Sequence, residues 1–417
     1  MKILVVTPYL PHRAVGHGGG TAVRDLVTWL ARGHEVLVAA LVRPGESERI
    51  SEVTELGVEV AAIPFRDKGT RGPAAAGFLG TRLMAWGRSL ASGYPWYVEK
   101  YWSRDVSRRL GRIVEDFGPD AVQLEYLQLA LLVRDLRRTR DRAAGAAPLL
   151  VLNSHELGSL PRQRRASRAG NPWTAWTARR EAEAWRRLQV VASGWADRTL
   201  CVTPEDHDLY AAMGGRNLVT VPLGMDLSRI EVDWTPGAGA RFLFLGSFDH
   251  RPNRLAAAFL LDEVWPKMEA ALTDCRLTLA GPGSREWLAG RGGPGRWERR
   301  GVAAAGFVDD LTALFRAHHR FLAPLPEGGG IKIKILEAMA RGIPVVTSPI
   351  GAEGITSAAD DAVVIAPCDH RFTAAVLATM DQPDEAARRA ERARALVEES
   401  FSWEAIIGKL TDIYRGK

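Results

Sequence analysis

Cysteine is scarce in this chain, and long apolar runs are absent from it. The 417 residues include three cysteines, Cys201, Cys275 and Cys368, which lie far apart and lack the spacing of a metal site. An odd, scattered set argues against a disulfide framework and favours a reducing compartment. No apolar stretch approaches the roughly 20 residues of a membrane-spanning helix, and residues 1–8 predict a first strand rather than a signal peptide. We therefore expect a cytoplasmic protein, with contact to the inner membrane face as a second option.

Lysine is also scarce, with 8 residues against 47 arginines. The net charge of +6 suits an acidic ligand or an anionic membrane surface, although it is mild for this length. No run of arginines alternates with aromatic residues as it would in a nucleic-acid groove, so we expect no nucleic-acid partner.

The length predicts two domains, because 417 residues exceed what one hydrophobic core usually supports. Both halves alternate short apolar segments with helical stretches, as chains with covered parallel sheets do. The predicted strands are residues 3–7, 35–40, 121–125, 149–153 and 198–203 in the first half, and residues 241–245, 276–280, 320–324, 344–347 and 363–366 in the second.

The composition changes near residues 231–240, which predict a linker. We expect residues 1–230 and 241–401 to form two doubly wound, Rossmann-like α/β domains that face each other across a cleft. Residues 402–417 predict an amphipathic helix that packs back onto the first domain. Ligands of such sheets bind at the carboxyl ends of the strands.

A glycine-rich loop at residues 16–21 follows the first strand and precedes a helix predicted from about Ala22 to Arg32. It lacks the spacing of the dinucleotide-binding fingerprint, and no acidic ribose ligand follows at the expected distance. These absences argue against a dehydrogenase.

The most informative segment is residues 327–347, which predict a glycine loop, a helix from Ile331 to Arg341 and a buried strand. A helix whose first N–H groups open onto such a loop attracts anions such as phosphate. Lys334 and Glu337 share one face of this helix. They suit a phosphate and a ribose respectively; the alternative is an ordinary, solvent-exposed Lys–Glu pair.

Several motifs occur in an order and spacing that resemble one known family. They are the glycine loop before the first helix, His34-Glu-Val, Val221-Pro-Leu-Gly-Met-Asp, Gly246-Ser-Phe-Asp-His-Arg-Pro-Asn, Leu279-Ala-Gly-Pro-Gly, Gly306-Phe-Val-Asp-Asp, the block at residues 328–346 and Gly351-Ala-Glu-Gly. Across nearly its whole length the chain resembles the GT-B-fold, nucleotide-sugar-dependent glycosyltransferases of the large retaining family 4.

The resemblance implies roles for residues of both domains. Glu337 is similar to the glutamate that holds the ribose hydroxyls, and Lys334 to the lysine that binds the diphosphate. The remaining donor contacts that it implies are Gly19 and Gly20 in the first domain, and Gly246, Phe307 and Val308 in the second.

The chain departs from the family pattern at two places. Gly329 occupies the position of the first motif glutamate, and either Glu327 or the amides of the triple glycine, including Gly330, would take over its contact with the sugar. Phe248 replaces a basic residue that many relatives carry, and Arg251 or Arg254 could substitute. For both arginines the alternative is a solvated turn.

Candidate acceptor-side residues follow two strands of the first domain. Both Glu125 and His155 come at a strand end, and either could orient an acceptor hydroxyl; a packed, hydrogen-bonded histidine is the alternative for His155. His318 and His319 read as a helix-end feature. Segments 66–112 and 162–187 are rich in Arg, Trp and Tyr and suit an acceptor pocket or an anionic membrane, or otherwise buried tryptophans under a solvated basic face.

Together these features predict a transferase that moves a hexose-type sugar from a UDP- or GDP-type donor to a saccharide, lipid-linked or small-molecule acceptor, natural products included. The resemblance implies retention at the anomeric carbon. A lysine and a helix N-terminus can neutralise the leaving group without a metal, so we expect no cofactor and no obligate cation. A sugar-nucleotide epimerase and a non-catalytic nucleotide-sugar binding protein remain alternatives, and the monomer and the homodimer both stay open.

Overall fold

The computed structural model describes residues 1–13, 18–65, 74–142, 147–155, 157–167, 170–232, 234, 240–292, 295–328, 330–356 and 360–417. The chain divides into two compact units. The first unit contains Met1–Gly224 together with Ile406–Lys417, and the second contains Met225–Ala405. The division therefore falls at Gly224, ahead of the linker expected at residues 231–240.

In the first unit, the described residues form a seven-stranded parallel sheet in the order β3-β2-β1-β4-β5-β6-β7. Its strands are β1 (Lys2–Thr7), β2 (Glu35–Val42), β3 (Glu59–Pro64), β4 (Ala121–Glu125), β5 (Leu149–Asn153), β6 (Arg198–Cys201) and β7 (Leu218–Thr220). Its helices are α1 (Gly18–Leu30), α2 (Ile50–Thr54), α3 (Ala74–Ser92), α4 (Trp96–Tyr101), α5 (Arg104–Phe117), α6 (Ala130–Arg140), α7 (Ser159–Ser167), α8 (Pro172–Trp195) and α9 (Pro204–Ala212).

In the second unit, the described residues form a six-stranded parallel sheet in the order β10-β9-β8-β11-β12-β13. Its strands are β8 (Arg241–Leu245), β9 (Arg276–Ala280), β10 (Val302–Gly306), β11 (Arg320–Ala323), β12 (Val345–Thr347) and β13 (Val364–Ile365). Its helices are α10 (Arg251–Phe259), α11 (Trp265–Ala271), α12 (Ser284–Ala289), α13 (Leu311–Arg316), α14 (Ile333–Ala340), α15 (Pro349–Ala352), α16 (His370–Asp381) and α17 (Pro383–Phe401), with a π-helical turn at Leu260–Val264.

The predicted α/β class is confirmed, and the central strands lie where the sequence placed them. Strand β1 is buried from its second residue onward, and the three middle residues of β8 are buried, as in sheets with helices on both faces. Strand order reverses between β1 and β4 and again between β8 and β11. Ligands of doubly wound sheets bind at such switch points.

The last helix, α18 (Trp403–Tyr414), runs from the second unit into the first. Thr411 contacts His34 at 3.1 Å. The Tyr414 hydroxyl donates to Gln123 Oε1 at 2.5 Å, in the interior of the first sheet. Among the described helices, none is long and apolar enough to span a membrane.

Two helix boundaries predicted from sequence need correction. Helix α1 begins at Gly18 rather than near Ala22, so the glycines at 18–20 form its first turn and are not a loop. Helix α14 begins at Ile333, after an N-cap at Lys332, and ends at Ala340. Val23, Val27 and Leu30 are buried at helical spacing, and they fix the face that α1 turns to the sheet.

Candidate active site

Lys334 lies in the first turn of α14, beside the carboxyl end of β8. Its ammonium group donates to Asn253 Oδ1 and lies 5.0 Å from the Phe244 ring centroid. Asn253 in turn donates to the Ser247 carbonyl at 2.7 Å. A Cβ on Gly246 would lie 2.7 Å from Asn253 Nδ2 and 2.9 Å from Lys334 Nζ, so a larger residue there would displace the ends of these two side chains.

The ammonium of Lys334 is costly to hold in this environment. Burial, together with the nearby positive charge of Lys332, lowers its pKa to about 7. An anion at this place would favour the charged form. The site therefore has the electrostatics of an anion-binding position at a helix N-terminus.

Glu337 lies one turn further along α14, and its partner is Arg341 rather than Lys334. Arg341 donates from Nε at 3.0 Å and from Nη2 at 2.9 Å, both to Glu337 Oε1. The third nitrogen of Arg341 donates to Thr312 Oγ1 at 3.0 Å, and its guanidinium stacks on Phe315. Glu337 is mostly buried and pairs with Arg341, which argues against the alternative of a solvent-exposed Lys–Glu pair. Arg341 was missed from the sequence.

Arg251 and Glu327 pair with each other. Arg251 Nη1 donates to both carboxylate oxygens of Glu327, at 2.6 and 2.8 Å. Arg254 instead donates to the carbonyls of Phe248 and Asp249 at 2.7 and 2.8 Å, which holds the turn after β8. Of the two arginines considered as substitutes for the missing basic residue, Arg251 is thus the one with an exposed side chain near the glycine loop.

Phe248 belongs to the hydrophobic core of the second unit. Its ring packs against Phe244 and Trp287, with centroids 6.1 and 5.1 Å away. This burial explains why an aromatic residue occupies a position where a charge was expected.

Backbone contacts join the loops after β8, β9 and β10. Gly246 N donates to the Ala280 carbonyl at 2.9 Å, and Gly281 N donates to the Gly306 carbonyl at 2.7 Å. A Cβ on Gly281, whose φ is +123°, would lie 2.2 Å from Gly246 O. Gly281 was not singled out from the sequence, because its requirement comes from a loop that is distant along the chain.

Phe307 follows β10 and is 72% exposed, an unusual position for an aromatic ring. Val308 next to it packs on the core that surrounds α14. Gly330 adopts a φ of +66° in the loop before α14. Gly329, the position of the absent motif glutamate, lies outside the described residues.

In the first unit, Glu125 and His155 come together at the ends of the adjacent strands β4 and β5. Nε2 of His155 lies 2.5 Å from Glu125 Oε2, and since a carboxylate accepts, the imidazole donates. Gln123 and Asn153 donate to the same carboxylate at 2.6 and 3.1 Å. Glu125 has no exposed surface, so it would act on a ligand through a hydrogen-bonded neighbour such as His155.

Two tyrosines complete this cluster, and neither was predicted. The Tyr126 ring stacks on His155 at 3.8 Å between centroids, and Tyr9 donates to the Tyr126 hydroxyl at 2.7 Å. Burial and the neighbouring Tyr126 and Glu125 raise the pKa of Tyr9. Tyr126 and His155 have φ of +74° and +54°, a strain that is common at functional sites.

The remaining candidate residues are two glycines of α1 and the histidines at 318 and 319. Gly19 and Gly20 lie in the first turn of α1. His318 contacts the Leu314 carbonyl at 2.6 Å and Thr278 Oγ1 at 2.7 Å, which confirms it as a helix-end residue. His319 Nδ1 accepts from the Arg241 backbone. Within the described part of the chain, no cluster of His, Cys, Asp and Glu is arranged to hold a metal ion.

Comparisons with known proteins cover nearly the whole chain. Residues 17–224 match the family described as "Glycosyl transferase 4-like domain", and residues 239–382 match "Glycosyl transferases group 1". A glycogen synthase from Mycobacterium tuberculosis is 26% identical over 435 residues, covering 99% of this chain and 94% of the relative. A phosphatidyl-myo-inositol mannosyltransferase from Mycolicibacterium smegmatis is 28% identical over 208 residues, covering 48% of this chain and 52% of the relative.

The structural comparison agrees in fold. HepE from Anabaena in complex with UDP has a TM-score of 0.64 at 12% identity, with both chains covered in full. Two doubly wound sheets of this kind, matched along both halves to glycosyltransferase families, place this chain among the GT-B glycosyltransferases of family 4, the glycosyl transferases group 1.

Proposed function

We propose that this glycosyltransferase moves a hexose-type sugar from a UDP- or GDP-type nucleotide sugar to an acceptor hydroxyl, with retention at the anomeric carbon and without a divalent cation. The observation that carries the proposal is the buried Lys334 ammonium at the first turn of α14, with its depressed pKa and its glycine neighbour Gly246. Structures of HepE with UDP and with UDP-glucose support a donor of this class.

Each part of the second-unit site has a task in this scheme. As the bond between the anomeric carbon and the diphosphate breaks, negative charge grows on the leaving oxygen, and Lys334 with the α14 N-terminus stabilises it. Glu337 binds the ribose hydroxyls through Oε2, because Arg341 occupies Oε1. Phe307 and Val308 lie against the base. Arg251 contacts the diphosphate, and Glu327 contacts the sugar.

On the acceptor side, His155 contacts the acceptor hydroxyl and Glu125 acts as a positioning residue. The hydrogen bond that Nε2 donates to Glu125 fixes the orientation of the imidazole. In this tautomer Nδ1 is the nitrogen that carries the lone pair. Gly19 and Gly20, in the first turn of α1, belong to the donor contacts instead and offer backbone amides to the diphosphate or the donor sugar. The acceptor is a saccharide, a lipid-linked sugar or a small molecule, and the named relatives include both a polysaccharide synthase and a lipid mannosyltransferase.

A thermal-shift screen against UDP, GDP, ADP, dTDP and their common sugars, with and without EDTA, tests this proposal. A ligand at about 100 times its dissociation constant stabilises by roughly 2.7 kcal/mol. We expect one nucleotide class to raise the melting temperature equally in both buffers. No response to any nucleotide, or a response that EDTA abolishes, would count against it.

Proton uptake on binding gives a second measurement that isolates Lys334. At pH 8 a group with a pKa of about 7 is mostly neutral, and a bound diphosphate should protonate it. Calorimetry in buffers of different ionisation enthalpy should therefore show uptake of nearly one proton in the native protein and none in Lys334→Met. Turnover with an acceptor then separates a transferase from a binding protein, and donor conversion without any acceptor would indicate an epimerase.

A further inference from the structure

Helix α3 presents an apolar face to solvent. Leu83, Trp86 and Leu90 are 62%, 59% and 63% exposed. Spacings of three and four residues place them on one side of the helix, and they are called the α3 stripe below. Ala85, on the other side, is buried. Single exposed apolar residues are normal, but three large ones in a row on one helix face mark an interaction surface.

The orientation of the α3 stripe is fixed by polar contacts on the opposite side of α3. Arg88 donates to a carboxylate oxygen of the buried Glu99 at 3.2 Å, and to the backbone carbonyls of Glu99 and Trp102 at 2.9 and 3.2 Å. Ser92 donates to the other carboxylate oxygen at 2.9 Å. These bonds attach α3 to α4, so that rotation of the apolar face inward would leave the buried Glu99 carboxylate without its Arg88 partner.

The positive charge of the chain is concentrated in the same part of the sequence. Residues 66–112 contain ten Lys and Arg against three Asp and Glu, a net charge of +7. The rest of the chain has 45 basic and 46 acidic residues, so its net charge is −1. Helix α3 itself contains two arginines and no acidic residue.

We propose that the α3 stripe docks on a bilayer that contains anionic phospholipid. Leucine side chains and an indole enter the boundary between headgroups and acyl chains, while basic residues of the same segment meet lipid phosphates. A second copy of this chain fits less well, because it would bring +7 against +7. Nucleic acid fits less well also, since aliphatic leucines gain nothing from a phosphate backbone.

Vesicle co-sedimentation of the full chain tests the proposal. Vesicles of 30 mol% phosphatidylglycerol in phosphatidylcholine are compared with pure phosphatidylcholine at about 0.1 M salt, where charge attraction acts over about 10 Å. We expect binding to the anionic vesicles alone and a marked loss in high salt. The triple variant Leu83→Ser/Trp86→Ser/Leu90→Ser should bind about tenfold or more weakly, because it removes the apolar contact area.

Leu209→Ser is the matched control, since Leu209 is 45% exposed on α9 and lies outside the basic segment. It should bind vesicles as the native chain does. Because the α3 stripe is exposed, the triple variant should keep the native melting temperature; if it melts early, Leu90→Ser alone decides, with an expected loss of about threefold.

Native binding by the triple variant, equal binding to neutral vesicles, or no binding by the native chain would overturn the proposal. A native dimer that the triple variant converts to a monomer, with no vesicle binding, would assign the α3 stripe to self-association and overturn it as well.

Discussion

Lys334 combines ligand binding with a cost to the stability of the free protein. Its pKa falls from 10.5 to about 7 on folding because the ammonium is buried. Between these pH values the unfolded chain binds more protons, so stability rises with pH across this window. The cost is fully present below about pH 7 and disappears as the pH approaches 10.5.

Lys334→Met should therefore raise the melting temperature of the ligand-free protein near pH 6.5, with a gain that shrinks toward pH 10. It should also greatly reduce the stabilisation by nucleotide, a trade between stability and function that is common at binding sites. Differential scanning calorimetry across this pH range measures both effects. Lys267→Met, at an exposed position on α11, should change neither; a Lys334→Met protein that melts earlier at pH 6.5 would contradict the pKa argument.

Arg341 orients the carboxylate that we assign to the ribose. Hydrogen bonds to charged groups contribute about 1.5–3 kcal/mol, so Arg341→Ala should weaken nucleotide binding by about tenfold or more and raise KM far more than it lowers kcat. Arg341→Lys should recover only part of the lost affinity, because a single ammonium cannot reproduce the two nitrogens that the guanidinium presents to Glu337. Steady-state kinetics measure this, with Arg388→Ala as the control because Arg388 forms a surface ion pair on α17. An unchanged KM in Arg341→Ala would indicate a merely structural role for Arg341.

The crossing of the loops after β8 and β9 depends on glycine at one element boundary. Gly281→Ala would place a methyl group 2.2 Å from the Gly246 carbonyl oxygen in a left-handed conformation. We expect the free energy of unfolding to fall by about 2 kcal/mol or more, because the clash is between backbone segments that cannot move apart easily. Gly111→Ala, within α5 and with open space around it, should instead stabilise by about 0.5–1 kcal/mol. Urea unfolding of both variants measures these opposite changes in stability. Equal changes in the two variants would contradict the requirement for glycine at position 281.

The strands that the sequence failed to predict all lie at sheet edges, whereas the remaining edge strand, β13, was predicted within residues 363–366. Strands β3, β7 and β10 lie at sheet edges, and their burial is partial or alternates. Central strands such as β4 are covered on both faces and therefore read as continuous apolar runs. A short edge strand lacks that signal, because only its neighbour in the sheet defines it.

The final twelve residues tie the end of the chain to the first unit. Ile406, Leu410, Ile413 and Tyr414 are all buried, and each buried side chain of this kind contributes about 1.5–3 kcal/mol. Deletion of residues 406–417 should lower the melting temperature of the first unit and leave the nucleotide-induced shift of the second. Calorimetry with and without UDP can separate the two transitions. Loss of the nucleotide response together with normal melting of the first unit would contradict this assignment.

The sequence by itself determined the two α/β units, their central strands, the family and the place of Lys334 and Glu337 on one helix. These follow from local signals: apolar runs, helix spacing, and a glycine loop next to a rare lysine. Tertiary structure alone decided the distant partners. Arg341 lies four residues after Glu337, a spacing that the sequence shows, and the contacts of Arg341 with Thr312 and Phe315 are what the tertiary structure adds. The burial of Phe248 and the Glu125–His155 pair depend on which distant segments become neighbours in the fold, and such adjacency leaves no periodic trace along the chain.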